Sequence, residues 1–269
     1  MSFADYEAVW SGRYRDAGDE YLFGTEPNKF LAAQGAYFGA GMRVLSVADG
    51  EGRNSVWLAE QGCAVTATEV SDVALAKAAK LARGRHVEVE LLKADIFNWE
   101  WPHAAYDAVV GIFIQFAGPA ERPRQMAGMK QAVKPGGLLF LQGYTPKQLD
   151  YRTGGPSAVE NLYTEALLRE LFADWEIVLL REHEDLIEEG RGHSGRSALI
   201  DLIARKPLYE DNGREDGNGH DEHQPFHVAA SQEAREVQDQ NQNGKDVEKR
   251  EQHVGPLGKS VVPANCRRL

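Results

Sequence analysis

Between Met42 and Asn54 the chain reads MRVLSVADGEGRN, an apolar, β-branched stretch that breaks into a turn carrying Gly50 and Gly52. A helix-forming run, Asn54-Ser-Val-Trp-Leu-Ala-Glu-Gln, follows at once. Missing side chains at such a turn let a ligand lie against the backbone, and the first N–H groups of the helix point at it unpaired. Ser46, Ala48, Asp49 and Asn54 surround that cradle. About twenty residues past the turn a second apolar run ends at Glu69, where a carboxylate can accept both hydroxyl protons of a ribose. A third run ends at Asp95. The chemistry implied is binding of a nucleoside-like small molecule.

Other candidates lie outside this core. Trp10, Tyr14, Phe23 and Gly24 form an aromatic group ahead of the turn, although aromatic residues are core more often than ligand wall. Gly111 and Phe113 close a fourth apolar run. His193 sits in Arg191-Gly-His-Ser-Gly-Arg196, where an imidazole can orient or deprotonate an acceptor and Arg196 can hold an anionic one; a solvated polar turn is the simpler explanation. Tyr151, Arg152, Gly154 and Gly155 read equally well as a lid or as a surface loop. His220, His223 and His227 have loosely metal-like spacing but fall in polar sequence with little to order it, so no metal site is expected.

The elements that would carry these residues alternate. Helical spacing runs from Asp5 to Asp16 and again from Asn28 to Phe38. Strands are expected over the opening run, Ala64 to Val70, Val87 to Ala94, Tyr106 to Phe113 and Leu138 to Tyr144. Helices are expected after the glycine turn, from Ser71 or Asp72 to Arg83, and from about Pro119 to Val133, stopping at Lys134-Pro-Gly-Gly. Alternation of this kind is the signature of parallel βαβ units in an α/β domain. The polar, glycine-rich stretch from Thr145 to Tyr163 reads as a loop over a site, and Thr164 caps a helix to Phe172. Two strands, Trp175 to about Glu184 and about Ser197 to Arg205, then follow with no helix between them, so this last pair should be antiparallel.

Composition sets the bounds. The 269 residues are 42% hydrophobic, enough for one sizeable core. Beyond Pro207 the chain turns to Asp, Glu, Gln, Asn and Gly and cannot bury enough apolar surface to offset ordering entropy. The expected division is a helical cap and aromatic loop over 1–41, a binding domain over 42–207 and an acidic disordered tail over 208–269. A formal charge of −11 argues against a broad nucleic-acid-binding face, which needs clustered Lys and Arg. Cys63 and Cys266 lie in regions of different character and suit a reducing compartment. With no apolar signal core and no run long enough to span a bilayer, a cytoplasmic protein without membrane association is expected.

Two patterns fit the turn. From Gly50 it reads G-x-G-x-x-S, a nicotinamide-cofactor fingerprint with Ser55 where Gly or Ala should pack helix on strand. From Ser46 it reads S-x-A-x-G-x-G, a variant of the D-x-G-x-G-x-G turn of class I S-adenosylmethionine (SAM) methyltransferases. Glu69 suits either cofactor. Asp95 as a second acidic strand end, Lys134-Pro-Gly-Gly before the fifth strand and the closing antiparallel pair together resemble the class I methyltransferases. The segments YLFGTEPNKFL and VLSVADGEGRNSVWLAEQG further resemble the tellurite-resistance and thiopurine methyltransferase-like group, a resemblance that covers about Trp10 to Pro207.

That resemblance implies a Rossmann-like, seven-stranded, mostly parallel sheet in the order 3-2-1-4-5-7-6, with an antiparallel last strand and helices on both faces. It implies SAM lying along Ser46, Ala48, Asp49, Gly50, Gly52 and Asn54, with its ribose at Glu69 and Val70, its adenine at Asp95 and Ile96, and Gly111 nearby. The aromatic-Gly-x-x-Pro loop maps onto Phe23, Gly24 and Pro27, with Trp10 and Tyr14 behind it. Phe113, Arg152 and Arg196 would complete an acceptor site, with His193 as the catalytic candidate. Ser46 and Ala48 depart from the family turn, which leaves Asp49 or a backbone carbonyl to hold the methionine ammonium; Ala48 is tolerated there if its φ is negative. The expected reaction is in-line methyl transfer to a small thiol, chalcogen oxyanion or amine by a monomer or weak dimer. The run Gly111-Ile-Phe-Ile-Gln-Phe lacks the Asn-Pro-Pro-aromatic motif of nucleic-acid base methyltransferases. A SAM-binding sensor without turnover is the alternative of another class, and an NAD(P)-dependent oxidoreductase the alternative enzyme.

Overall fold

The computed structural model describes residues 3–208; the expected tail, with His220, His223 and His227, lies outside the described residues. Helix α1 (Phe3–Asp16) leads through the aromatic loop to α2 (Lys29–Ala33), which starts at Asn28, whose side chain accepts from the backbone of Leu31. The single helix expected from Asn28 to Phe38 is broken: Gln34 ends α2 and a 3-10 turn covers Gly35–Tyr37. Gly35 at the break is a poor helix former.

Strand β1 (Arg43–Ser46), α3 (Arg53–Glu60), β2 (Ala64–Glu69), α4 (Asp72–Gly84), β3 (Glu90–Lys93), β4 (Tyr106–Ile112), α5 (Arg122–Ala132) and β5 (Val133–Tyr144) then alternate. After the short α6 (Gln148–Tyr151), α7 (Glu165–Leu171) is capped by Thr164, and β6 (Glu176–Glu189) and β7 (His193–Arg205) complete the fold. The seven strands form one sheet in the order β3-β2-β1-β4-β5-β7-β6. All pairs are parallel except β5 with β7 and β7 with β6. This is the Rossmann-like methyltransferase arrangement that the resemblance implies, and its antiparallel β7 sets it apart from the 3-2-1-4-5-6 dinucleotide fold.

Three boundaries differ from expectation. His86 adopts φ 57, which prolongs the turn after α4 and delays β3 from Val87 to Glu90. Lys134-Pro-Gly-Gly does not precede β5 but lies inside it, at the irregularity between the Tyr106↔Val133 and Ala108↔Leu138 pairs. The last two strands run on through polar residues, because an edge pair can face water on one side; their connection shrinks to Gly190, Arg191 and Gly192.

Inner strands bury both faces, which is why they read as continuous apolar runs. Leu45, Val109, Leu139 and Leu141 point to a cluster with Met126, Met129, Leu168 and Phe172 from α5 and α7 or its end. Val44, Ala108, Val110 and Phe140 face the opposite cluster with Phe30, Leu31 and Leu58. Each large buried side chain contributes about 1.5–3 kcal/mol. The rigid sheet fixes the carboxyl ends of β1 to β4 side by side, where the strand order reverses.

Candidate functional site

At that reversal the chain leaving β1 is held by its neighbours: Val47 N–H donates to Val110 O (2.9 Å), and Asp49 N–H donates to Thr68 O (2.9 Å). Ala48 N–H reaches Thr68 Oγ1 at 3.3 Å. Ala48 sits at φ 50, so the condition of a negative φ is not met. A left-handed alanine costs about 1–2 kcal/mol, which the bonds to Thr68 offset. The two glycines do different work. Gly50 (φ 64) passes the Tyr14 hydroxyl, which a Cβ would approach to 2.9 Å. Gly52 (φ 92) faces away from the cleft, and a Cβ there would lie 2.7 Å from Ala78 Cβ on α4. The side of Gly52 that a Cβ would occupy is thus taken up by close helix packing.

Two carboxylates flank the turn. Ser46 Oγ donates to Asp49 Oδ1 at 2.6 Å and Ser55 Oγ donates to Asp49 Oδ2. The serine standing at the family's acidic position therefore holds a carboxylate three residues further on. Loss of solvent pushes Asp49 up to about 6, against the lowering effect of both serines and of Arg53. Glu69 is buried; its Oε2 accepts Gly50 N–H and its Oε1 accepts Ser71 N–H, both at 3.0 Å. Burial pushes it up to about 7, outweighing the bonds from Ser71, Gly50 and Val70. Each Glu69 oxygen accepts one N–H and retains a lone pair. Asp95 accepts from Phe97 N–H (3.1 Å) and Asn98 Nδ2 (2.6 Å). It caps its loop while also lining the cleft.

These groups open on a single cleft. Ser46, Ala48, Asp49, Gly50, Asn54, Glu69, Val70, Asp95 and Ile96 line it, as do Trp10, Tyr14, Phe23, Phe113 and His193. Trp10 stacks on Tyr14 (centroids 5.9 Å), and Phe23 packs on both. At the far end the His193 ring lies 4.5 Å from Phe23 and 4.4 Å from Phe113, and Phe113 stacks on Tyr144 at 4.7 Å. Phe113 is itself left-handed, at φ 57, a strained conformation of the kind that collects at ligand sites.

Desolvation, then Arg53 and Arg13, lower His193 to about 3. The ring is therefore neutral, and its buried Nδ1 has no hydrogen-bond partner. Tyr144 Oη is likewise buried without a partner, and desolvation pushes that hydroxyl well above its ordinary value. A neutral imidazole held this far down is a hydrogen-bonding group rather than a strong base, which suits orienting an acceptor more than deprotonating it.

Besides Gly52, four candidates lie off the cleft walls. Gly24 is the floor on which the hairpin tip packs: a Cβ at Gly190 would come within 2.5 Å of Gly24 N. Gly111 faces Ile114 and Met129. Arg152 is exposed and ends α6 at φ 56. Arg196 is exposed and binds Glu184 through Nε at 3.0 Å. Arg152 at the end of α6 and Arg196 on β7 are both absent from the cleft wall. Conversely, the sequence reading missed Arg53, Tyr6, Phe97 and Phe116, all on the walls. Arg53 directly follows Gly52, so its place at the start of α3 was the available signal.

The set fits SAM on its own terms. Glu69 offers two lone pairs to a ribose diol, Asp49 a carboxylate to an ammonium, and Phe97 and Ile96 apolar faces to a purine. Among the described residues no cluster of metal-ligating side chains and no helix long and apolar enough to cross a membrane is found.

Residues 44–137 match the family model described as a methyltransferase domain, and the fold is shared with a structure described as a SAM-dependent methyltransferase from Methanosarcina mazei, at TM-score 0.56 and 20% identity over 68% of this chain and 100% of that one. The chain is 30% identical over 106 residues to the demethylmenaquinone methyltransferase of Thermus thermophilus, covering 39% of this chain and 48% of that one. It thus spans about half the length of the curated relative it matches. Among solved structures, one described by the conversion of a disulfide bond into a thioacetal group during echinomycin biosynthesis superposes with TM-score 0.63 and 17% identity, covering 76% of this chain and 94% of the other. TehB from Haemophilus influenzae superposes with TM-score 0.55 and 19% identity, covering 66% and 62%. At such identities the structural likenesses show the fold.

Proposed function

We propose, from this methyltransferase domain as premise, that the chain transfers the methyl group of SAM to a small, soft acceptor: a thiol, a chalcogen oxyanion or an amine. The observation that carries the reading is the juxtaposition of Asp49 and Glu69, neither in an ion pair among the described residues, with the aromatic chamber of Phe23, Phe113 and His193. When bound, SAM supplies a sulfonium methyl group for in-line displacement. The chain's own task is to hold ribose and ammonium at Glu69 and Asp49, to exclude water with Trp10, Tyr14 and Phe23, and to align the acceptor against Phe113 and His193. An ionised soft acceptor needs no strong base, in keeping with neutral His193. The Thermus relative, named for demethylmenaquinone, and the structure named for thioacetal formation support a small-molecule acceptor, and TehB supports the narrower likeness to the tellurite-resistance group.

Incubation with methyl-labelled SAM and a panel of thiol, selenite, tellurite and amine acceptors tests the reading. Label should move to at least one of them. Tight binding of SAM with transfer to none would instead favour a sensor without turnover, a reading that the weak basicity of His193 keeps in play. Preference for NAD(P)H over SAM would overturn both.

A further inference from the structure

Resting on the methyltransferase reading of the cleft, we propose that Glu189, at the tip of the β6–β7 hairpin, is a positioning residue that sets the Arg53 guanidinium to receive an anionic group, a carboxylate or oxyanion, inside the cleft. Arg53 is the one cationic side chain on the cleft wall among the described residues. Its Nη1 lies 2.7 Å from Glu189 Oε2, with the two side chains only 7% and 6% exposed. The contact does not align an N–H with the carboxylate, and among the described residues Nη1 has no hydrogen-bond partner. Glu189 itself is not on the cleft wall, so it reaches a ligand only through Arg53.

Glu189 is held from behind by a chain of buried amides. Its Oε1 accepts from Asn28 Nδ2 at 3.1 Å and from Lys29 N–H at 3.2 Å. Asn28 Nδ2 also donates to Gln142 Oε1 (2.7 Å), and Gln142 Nε2 donates to Asp201 Oδ1 (2.6 Å), a carboxylate at 0% exposure between β5 and β7. The tip is docked as well, with Gly192 N–H donating to Leu22 O at 2.9 Å. The sheet therefore dictates where the carboxylate stands, and the carboxylate dictates where Arg53 stands.

Stability alone does not explain the pair. Taking two charges out of water costs about as much as their attraction returns, and an apolar pair of similar volume would serve the core as well. Guanidinium offers five donors and no acceptor, so what it lacks in the cleft is an anion. That anion has two sources, the methionine carboxylate of the cofactor or an anionic acceptor.

Calorimetry with S-adenosylhomocysteine and with 5′-methylthioadenosine, which lacks the amino-acid moiety, separates them. The variants are Arg53→Met, Glu189→Gln and the double variant Arg53→Met/Glu189→Met, which leaves no buried charge unpaired and so guards against simple misfolding. If the cofactor is the source, the variants lose about tenfold or more in affinity for S-adenosylhomocysteine and none for 5′-methylthioadenosine. If the acceptor is the source, both nucleosides bind unchanged while the KM of a carboxylate-bearing aromatic thiol such as mercaptobenzoate rises about tenfold with kcat retained. Either result supports Arg53, and Glu189→Asp, which keeps the charge, should recover part of the loss seen in Glu189→Gln. Arg53 variants that change neither quantity overturn the proposal, as does Glu189→Gln behaving as wild type while Arg53→Met does not. Failure of the wild-type chain to bind either nucleoside would instead remove the underlying methyltransferase reading.

Discussion

The backbone N–H of Gly50 donates to Glu69 Oε2 at 3.0 Å, so the carboxylate that ends β2 is fixed by the turn that follows β1. Without a ligand this carboxylate is uncomfortable: burial lifts it from 4.5 to about 7. A raised folded-state value means that its contribution to stability is fully present below the unfolded value and is lost as pH rises through the folded one. Relative to Glu69→Gln, the ligand-free wild type should lose up to about 3 kcal/mol between pH 4.5 and 7. Denaturant titrations of the two proteins across that window measure it, and parallel stability curves would contradict it.

Ligand binding should run the other way. Hydroxyl and ammonium donors favour the ionised carboxylates, so affinity for S-adenosylhomocysteine should rise from pH 5.5 to 8 as Asp49 (about 6) and Glu69 (about 7) ionise. Glu69→Gln should bind more weakly and with a flatter profile. Calorimetry at a series of pH values reads both, and a wild-type affinity indifferent to pH would sink the assignment of ribose to Glu69.

The turn's two unusual positions predict opposite outcomes. Gly52→Ala forces a Cβ to 2.7 Å from Ala78 at φ 92 and should cost about 2 kcal/mol or more. Ala48→Gly relieves a left-handed alanine at φ 50 and should be neutral or stabilising by up to about 1 kcal/mol. Urea midpoints compare them directly; a destabilised Ala48→Gly would mean that the methyl group packs usefully.

His193, lowered to about 3, titrates far below any working pH. With an ionised thiol acceptor, the acidic limb of the kcat/KM profile should therefore belong to Glu69 and Asp49 and survive in His193→Phe, which keeps a ring against Phe23 and Phe113. Disappearance of that limb in the variant would show that the imidazole transfers a proton after all.

Gly190 lies at φ 69, where an added Cβ would stand only 2.5 Å from Gly24 N. Gly190→Ala should lift the hairpin tip from the aromatic loop, speeding amide exchange around Leu22 to Gly24 and weakening acceptor binding severalfold. Unaltered exchange there would show that the loop stands without the hairpin.

The βαβ alternation, the antiparallel close, the cap at Thr164 and the strand-end positions of Glu69 and Asp95 are legible in the sequence, whereas the choice of Ser71 over Asp72 as the cap of α4 is seen in the fold. Each legible feature is set by local chemistry: period, glycine, capping oxygen, apolar run. Only the tertiary structure decided which glycine meets the cleft and which meets α4, because Gly50 and Gly52 differ in what passes behind them, not in type. Only the fold could bring Glu189 to Arg53, for that contact joins a hairpin tip to a helix start 136 residues earlier in the chain, and no local pattern records it. The same holds for His193. In sequence it sits in a polar turn, but docking of the hairpin on Phe23 and Phe113 takes its ring out of water and so fixes its charge.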